Sequence, residues 1–205
     1  MEVAEHKMTR SGADAPAPVQ EPRPFLWTKS QYHELGDMGW FQDARVELIE
    51  GDIIQMSPIS APHWTAVVLI SEALRTVFTE GYLVVAQNSF DGGPRSEPEP
   101  DIAVLAGKPR DFAHALPSAA ALIVEVSLTI LAYDRTRKAS LYAQAGIEDY
   151  WIINLKAGQV EVHRKPGTLT NGAFGYAEVS IYNSGQAIAP LAMPNAAIAV
   201  TDLLP

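Results

Sequence analysis

A single acidic residue interrupts the most apolar stretch of this chain. The run Ala121–Val126 is almost continuously hydrophobic, which is typical of a strand that is buried on both faces of a sheet. Glu125 lies inside that run. An unpaired buried carboxylate costs several kcal/mol, on the order of the whole stability margin of a domain. The sequence therefore predicts that Glu125 binds a cation or pairs with a buried arginine, unless it lies on the exposed face of an edge strand.

A second carboxylate is a candidate neighbour of Glu125. Asp101 follows Pro100 and opens another predicted strand, Asp101–Leu105. If the two strands are adjacent, both carboxylates converge on one point at the edge of the sheet, where they repel each other unless a positive charge lies between them. Magnesium binds one or two carboxylates together with waters and substrate phosphate, and it can polarise a phosphodiester. The alternative is that Asp101 is only a turn residue.

The order of the remaining elements predicts the fold class. Hydrophobic periodicity and turn residues predict, in the first part of the chain, a helix capped by Thr28, a hairpin over 45–56 that turns at Gly51-Asp52, and a helix capped by Ser60. Strands follow at 83–87, 101–105 and 121–126. The last part consists of a helix capped by Asp134, a second hairpin over 150–164 and a weaker strand at 176–182. This order predicts an α/β fold in which a mixed central sheet is flanked by helices, with additional β-hairpins. Residues 1–24 are predicted to be a disordered arm and residues 25–205 a single domain.

The composition limits the class of protein. A net charge of −9 argues against a protein that coats nucleic acid, but an enzyme can meet DNA through a local basic patch and a bound cation. The absence of cysteine excludes disulfides and thiolate metal sites. No apolar run approaches the roughly 20 residues of a membrane helix, and no secretion signal is recognisable, so we expect a cytoplasmic protein without a membrane partner.

A succession of short motifs resembles one protein family. The motifs are Glu47-Leu-Ile-Glu-Gly51, Met56-Ser-Pro58 with His63, Pro100-Asp101-Ile102, Val124-Glu125-Val126-Ser127, Asp134 with Lys138 and Tyr142, Ala145-Gly-Ile147, and Glu148-Asp-Tyr-Trp151. In this order they resemble the Uma-two family of PD-(D/E)XK restriction-endonuclease-like proteins, from about Phe25 to the C-terminus.

The resemblance implies a restriction-endonuclease-like fold and a set of site residues. By motif position the catalytic residues would be Asp101, Glu125 and Lys138, with Glu47 as the upstream acidic residue. Asp101, Glu125 and Glu47 would hold magnesium or manganese, and DNA would be the substrate. The family resemblance and the exposed edge strands expected of an open sheet also favour a homodimer.

The chain departs from the wider superfamily at two places. The superfamily lysine lies two residues after the glutamate, where this chain has Ser127, and Lys138 matches the helical position from which the family supplies that lysine. The stretch after Ser127 reads Leu128-Thr-Ile-Leu131 in place of the usual Pro-Ser turn. We therefore expect an unusual shape for the loop that precedes the helix.

Simpler interpretations stay open for the individual residues. Lys138 could be solvated, and Glu47 could belong to the polar face of a hairpin. A cap or packing role is favoured for His63, and packing for Tyr142. Tyr150 and Trp151 are expected in the core and not in a base-stacking platform. The basic cluster Arg135, Arg137 and Lys138 could face phosphate or simply be a solvated helical turn, although basic residues oppose the dipole at a helix N-terminus.

Three hypotheses for the function follow. The first is a metal-dependent phosphodiesterase that acts on DNA. The second is a nucleic-acid-binding or structural domain of the same fold that does not cleave. The third is an enzyme whose substrate is RNA or a nucleotide, because nothing in the chain resembles a base-reading element.

Overall fold

The computed structural model describes residues 22–205, so the predicted arm lies, up to residue 21, outside the described residues. In chain order the elements are α1 (Lys29–Asp37), β1 (Val46–Ile49), β2 (Asp52–Gln55), α2 (Ala61–Val77), β3 (Tyr82–Ala86), β4 (Ile102–Ala106), β5 (Leu122–Ser127), α3 (Leu131–Tyr133), a π-helical turn (Asp134–Lys138), α4 (Ala139–Gln144), β6 (Asp149–Asn154), β7 (Gln159–Thr168), β8 (Phe174–Asn183), β9 (Ala187–Ile188) and β10 (Ile198–Ala199). Short 3-10 turns lie at Pro109–Phe112 and Val200–Leu203. No helix within residues 22–205 has the length and apolarity needed to span a membrane.

A six-stranded sheet forms the centre of the fold, with the strand order β3-β4-β5-β6-β7-β8. All neighbours in it are antiparallel except β5 and β6, which are parallel. The hairpin β1–β2 and the pair β9–β10 lie outside this sheet. The predicted mixed sheet with flanking helices and additional hairpins is therefore confirmed.

The central strand β5 separates two hydrophobic clusters. Leu122, Val124 and Val126 belong to the cluster that packs against α2. Ile123 belongs to the opposite cluster, which includes Tyr142 of α4. Side chains alternate between the faces of a strand, so Glu125 lies on the same face as Ile123, beneath the helix that follows β5. The predicted burial of β5 on both faces is confirmed, because all six of its residues are buried.

Two predicted helix starts are confirmed and the third is wrong. Thr28 forms a capping box with Gln31 ahead of α1, and the Ser60 hydroxyl accepts from the His63 amide ahead of α2. Asp134 does not cap a helix, because helical conformation begins at Leu131 and runs through Asp134. At this point the Ala139 amide donates to the Asp134 carbonyl, five residues back, which defines a π-helical turn. We refer to the continuous element over residues 131–144 as the 131–144 helix.

The first hairpin turns one residue earlier than the sequence predicted. Ile49 pairs with Asp52, so the turn consists of Glu50 and Gly51, and Asp52 already belongs to β2. Both turn residues have positive φ, 52° and 89°, as the two-residue turns of this hand require. The sequence predicts Gly51 as the first turn residue, whereas Glu50 occupies that position in the left-handed conformation.

Candidate active site

The two carboxylates singled out in the sequence lie side by side. The register of β4 and β5 pairs Ile102 with Val124, which brings Asp101 opposite Glu125. The Asp101 amide donates to Glu125 Oε2 at 3.4 Å, and the Val126 amide donates to Asp101 Oδ2 at 2.8 Å. Asp101 therefore does more than occupy a turn, because its carboxylate is fixed against the backbone of β5.

Lys138 bridges two acidic residues from different elements. Its Nζ lies 3.0 Å from Glu125 Oε1 on β5 and 3.0 Å from Glu47 Oε2 on β1. All three side chains are nearly inaccessible to solvent, with Lys138 2% exposed. Glu47 Oε2 also accepts from the Glu99 amide at 3.2 Å. The interpretations in which Lys138 is solvated and Glu47 is a polar hairpin residue are therefore wrong.

Two further side chains contact these carboxylates. The Tyr142 hydroxyl donates to Glu125 Oε1 at 2.6 Å, and His63 Nε2 lies 3.0 Å from Asp101 Oδ2. A packing role was favoured for Tyr142, although its position four residues after Lys138 already predicted that both share one helix face. His63 lies in the first turn of α2, and no pattern in the sequence indicated its contact with Asp101.

Asp134 is a fourth carboxylate at the site. It lies on the same helix face as Lys138 and borders the same pocket. It is almost fully buried, and its Oδ2 has no hydrogen-bond partner among the described residues. Burial raises the pKa of Asp134 to about 6. The sequence did not identify this residue as part of the site, because an aspartate ahead of a helical pattern is usually a cap.

The charge balance of the site depends on Lys138. Burial raises the pKa of Glu125 above its ordinary value; Lys138 opposes that shift, while Asp101 adds to it. Burial would lower the pKa of Lys138, but Glu125 and Glu47 outweigh that effect and raise it, so the ammonium form persists. An uncompensated carboxylate would be very costly in this location, and Lys138 is the counterion that the apolar strand required.

A pocket of about 540 Å³ gives access to these groups. Glu47, Asp101, Glu125, Asp134 and Lys138 border it and are nearly inaccessible to solvent, so they lie at its inner end. Six apolar residues form much of the remaining lining: Ile54, Met56, Pro58, Ile59, Leu128 and Ile130. The pocket therefore combines a charged inner end with an apolar wall.

The other basic residues of the 131–144 helix hold it in place. Arg135 donates to both carboxylate oxygens of Glu161 on β7, at 2.8 and 2.7 Å. Arg137 donates to the Ile49 carbonyl at 2.9 Å and pairs with Asp52 in the first hairpin. Neither expectation for this cluster, a phosphate-facing patch or a solvated turn, describes these pairs. The contacts of Arg135 and Arg137 fix the position of Lys138 relative to β1 and the central sheet.

The donor atoms suit a hard cation. Within residues 22–205 no group of three or more histidine, aspartate or glutamate side chains is arranged to hold a metal ion. The adjacent carboxylates of Asp101 and Glu125 offer oxygen ligands only, which is the donor chemistry that magnesium and manganese accept. Magnesium commonly takes one or two carboxylates and completes its shell with water and phosphate oxygens. The side chains therefore fit an ion that is held in part by the substrate.

Comparison with known proteins gives a family and a fold. The model of the Uma2 family, described as "putative restriction endonuclease", matches residues 30–201. A crystal structure of a protein described as a "putative nuclease belonging to DUF820", from Anabaena variabilis ATCC 29413, superimposes with a TM-score of 0.60 at 16% identity, covering 78% of this chain and 90% of that chain. No curated protein matches this chain. At this identity the structural likeness establishes a shared nuclease-like fold.

Proposed function

The chain belongs to the Uma2 family, and from this premise we propose that it is a metal-dependent endonuclease that hydrolyses phosphodiester bonds in DNA. The observation that supports the proposal is the convergence of Asp101, Glu125 and Lys138 at the inner end of one pocket. Three elements that are distant in sequence supply these side chains. The cluster has the composition expected of a site that binds a cation and a phosphate together.

Each residue has a distinct role in the proposal. Asp101 and Glu125 would hold a magnesium or manganese ion, and Glu47 would support the site through its contact with Lys138. When bound, such an ion polarises the scissile phosphate and lowers the pKa of the attacking water. Lys138 orients that water and stabilises the negative charge that develops on the phosphate.

Lys138 has the capacity for this role in its observed position. An ammonium group has three N–H donors, and Glu47 and Glu125 each accept one of them. One donor is left for a water or a phosphate oxygen. Glu47 therefore acts as the anchor that keeps the ammonium beside Glu125.

A cleavage assay tests the proposal. Plasmid and linear DNA are incubated with magnesium, manganese or a chelator, using the wild type, Asp101→Asn and Lys138→Met. We expect cleavage that depends on the metal and falls at least about 100-fold in both variants, because charge stabilisation at a reacting phosphate is usually worth that much. Lys165→Met serves as the control, since Lys165 forms only an exposed pair with Glu178. Cleavage that persists in Asp101→Asn, or that ignores the chelator, refutes the proposal.

A second candidate is a non-catalytic relative that binds nucleic acid or has a structural role. The observation that favours it is the direct neutralisation of Glu125 by the Lys138 ammonium group. Under this alternative, the protein binds DNA or RNA without cutting either, and Lys138→Met weakens folding but leaves binding by the folded fraction unchanged. RNA in place of DNA in the cleavage assay tests the remaining hypothesis of an RNA substrate.

A homodimer is part of the same proposal. β8 is an edge strand, and its Phe174, Val179 and Ile181 expose apolar surface. An open, partly apolar edge can pair with a second copy of the same strand. Light scattering coupled to size exclusion decides this point: Val179→Lys should convert a dimer of wild-type chains into a monomer, and a wild-type monomer refutes it.

A further inference from the structure

The wall of the pocket is largely apolar, and binding of a metal ion does not require an apolar wall. Ile59 precedes α2 and Ile130 precedes the 131–144 helix, so the two residues come from separate connecting segments. They are 45% and 46% exposed, respectively, although both border the pocket. Two large apolar side chains therefore flank the opening that leads to Asp101 and Lys138.

Ile130 belongs to the apolar segment that joins β5 to the 131–144 helix. Leu128, Thr129 and Ile130 of this segment all border the pocket. The segment therefore presents apolar surface next to the candidate active site.

Among the residues that the structure describes, the lining of the pocket offers few cations. Arg45 and Lys138 are the lysine and arginine residues that line it; Arg45 pairs with Glu99, and Glu47 and Glu125 take two of the three N–H donors of Lys138. The flanking segments 53–62 and 122–134 contain no lysine or arginine. Proteins that follow a nucleic-acid backbone over several nucleotides neutralise its phosphates with such residues, whether the strand is single or paired. The pocket therefore suits contact with one nucleotide and not with an extended backbone.

We propose that the pocket receives an unpaired nucleotide of a single-stranded nucleic acid, whose base packs between Ile59 and Ile130 while its phosphate reaches Lys138. This inference rests on the proposed nuclease function and specifies its substrate class. A base within a duplex is stacked on its neighbours, so its faces cannot contact a protein wall unless it is extruded. A base in a single strand offers both faces. A volume of about 540 Å³ is in the size range of pockets that hold single small molecules.

The test compares substrates that differ only in the base. Four fluorescent oligonucleotides of one sequence are used: the single strand, the duplex, and the same two with an abasic site at the scissile nucleotide. Wild type, Ile59→Ser and Ile130→Ser are assayed with manganese for kcat and KM. Leu191→Ser is the matched control, because Leu191 is equally exposed but does not border the pocket.

The proposal predicts a specific pattern of KM values. The single strand is preferred over the duplex, and removal of its scissile base raises KM roughly tenfold, the usual loss for one base contact. Ile130→Ser raises KM for the intact strand to a similar extent, with little change in kcat, but does not raise it further for the abasic strand. Leu191→Ser behaves as wild type. Equal use of the duplex with a steep salt dependence, or an unchanged KM in both isoleucine variants, overturns the inference and leaves the nuclease function standing.

Failure of the nuclease function gives a different result. In that case no oligonucleotide is cleaved with any metal, and fluorescence anisotropy measures binding of the same four oligonucleotides directly. Tighter binding of the intact strand than of the abasic strand, reduced in Ile130→Ser, still supports the base contact. Equal binding of all four oligonucleotides overturns it.

Discussion

Lys138 Nζ lies 3.0 Å from Glu125 Oε1, in a region where neither side chain is accessible to water. This contact explains how the most apolar strand of the chain tolerates a carboxylate. The ammonium group compensates the buried charge, and Glu47 completes its coordination from the first hairpin. The proposed function gives Lys138 a catalytic role as well, so substitutions here must be judged by both stability and activity.

Replacement of Lys138 tests its role as a counterion. In the presence of a chelator, Lys138→Met leaves Glu125 and Glu47 buried without their cation, so we expect a loss of about 3–5 kcal/mol in the free energy of unfolding. Denaturant unfolding measures this loss. In Lys165→Met, which removes an exposed ion pair, the change should be close to the detection limit. Equal effects of the two substitutions would show that the buried bridge does not stabilise the fold.

The hydroxyl of Tyr142 separates packing from site chemistry. Tyr142→Phe removes the donor to Glu125 Oε1 and should cost about 1–3 kcal/mol of stability. Tyr176→Phe is a matched control, since the Tyr176 hydroxyl is also buried but donates to the Ile147 carbonyl. Both variants should lose stability, whereas only Tyr142→Phe should also lower kcat for cleavage. A similar drop in kcat for both variants would contradict a role of Tyr142 in holding Glu125.

The titration of Asp134 predicts a dependence of stability on pH. Its pKa is raised from 3.8 to about 6 by burial, so between these values the folded state binds more protons than the unfolded state. The contribution of Asp134 to stability is therefore most favourable at low pH and is lost as the pH rises through about 6.

Asp134→Asn removes this titration. As the pH rises from about 4 to about 8, the free energy of unfolding of the variant should increase relative to that of the wild type by up to about 3 kcal/mol. A pKa shift of this size implies that amount. Unfolding experiments with a chelator measure the difference at each pH. If the difference in the free energy of unfolding between the variant and the wild type does not change with pH, burial does not raise the pKa of Asp134.

Local patterns in the sequence predicted much of the fold. The helix start at Thr28, the apolar run of β5 and the second hairpin over 150–164 are short-range signals, and each predicts an element that the structure contains. The start of the 131–144 helix was misplaced because Asp134 is a favoured cap type. The burial of Asp134 depends on tertiary contacts, which cannot be read from the sequence.

The residues of the candidate site also divide into those that local sequence patterns predict and those that depend on tertiary contacts. Asp101 and Glu125 were identifiable because a carboxylate at the start of one strand and another inside an apolar strand are unusual and depend on a simple pairing of strands. Lys138 was selected only through the family resemblance, since a helical lysine is ordinarily solvated. The contact of His63 with Asp101 is not predictable from the sequence, because it depends on the packing of α2 against the sheet.

The most direct test of the central claim is a calorimetric titration of manganese and magnesium into the metal-free protein. The wild type is compared with Asp101→Asn and with Asp149→Asn, which alters a carboxylate that is also buried but pairs with Arg164 outside the pocket. The account predicts binding to the wild type and to Asp149→Asn, and at least about a tenfold loss of affinity in Asp101→Asn, because one of two carboxylate ligands is removed. Absence of binding to the wild type, or equal affinity in Asp101→Asn, would contradict a metal-dependent active site at this position.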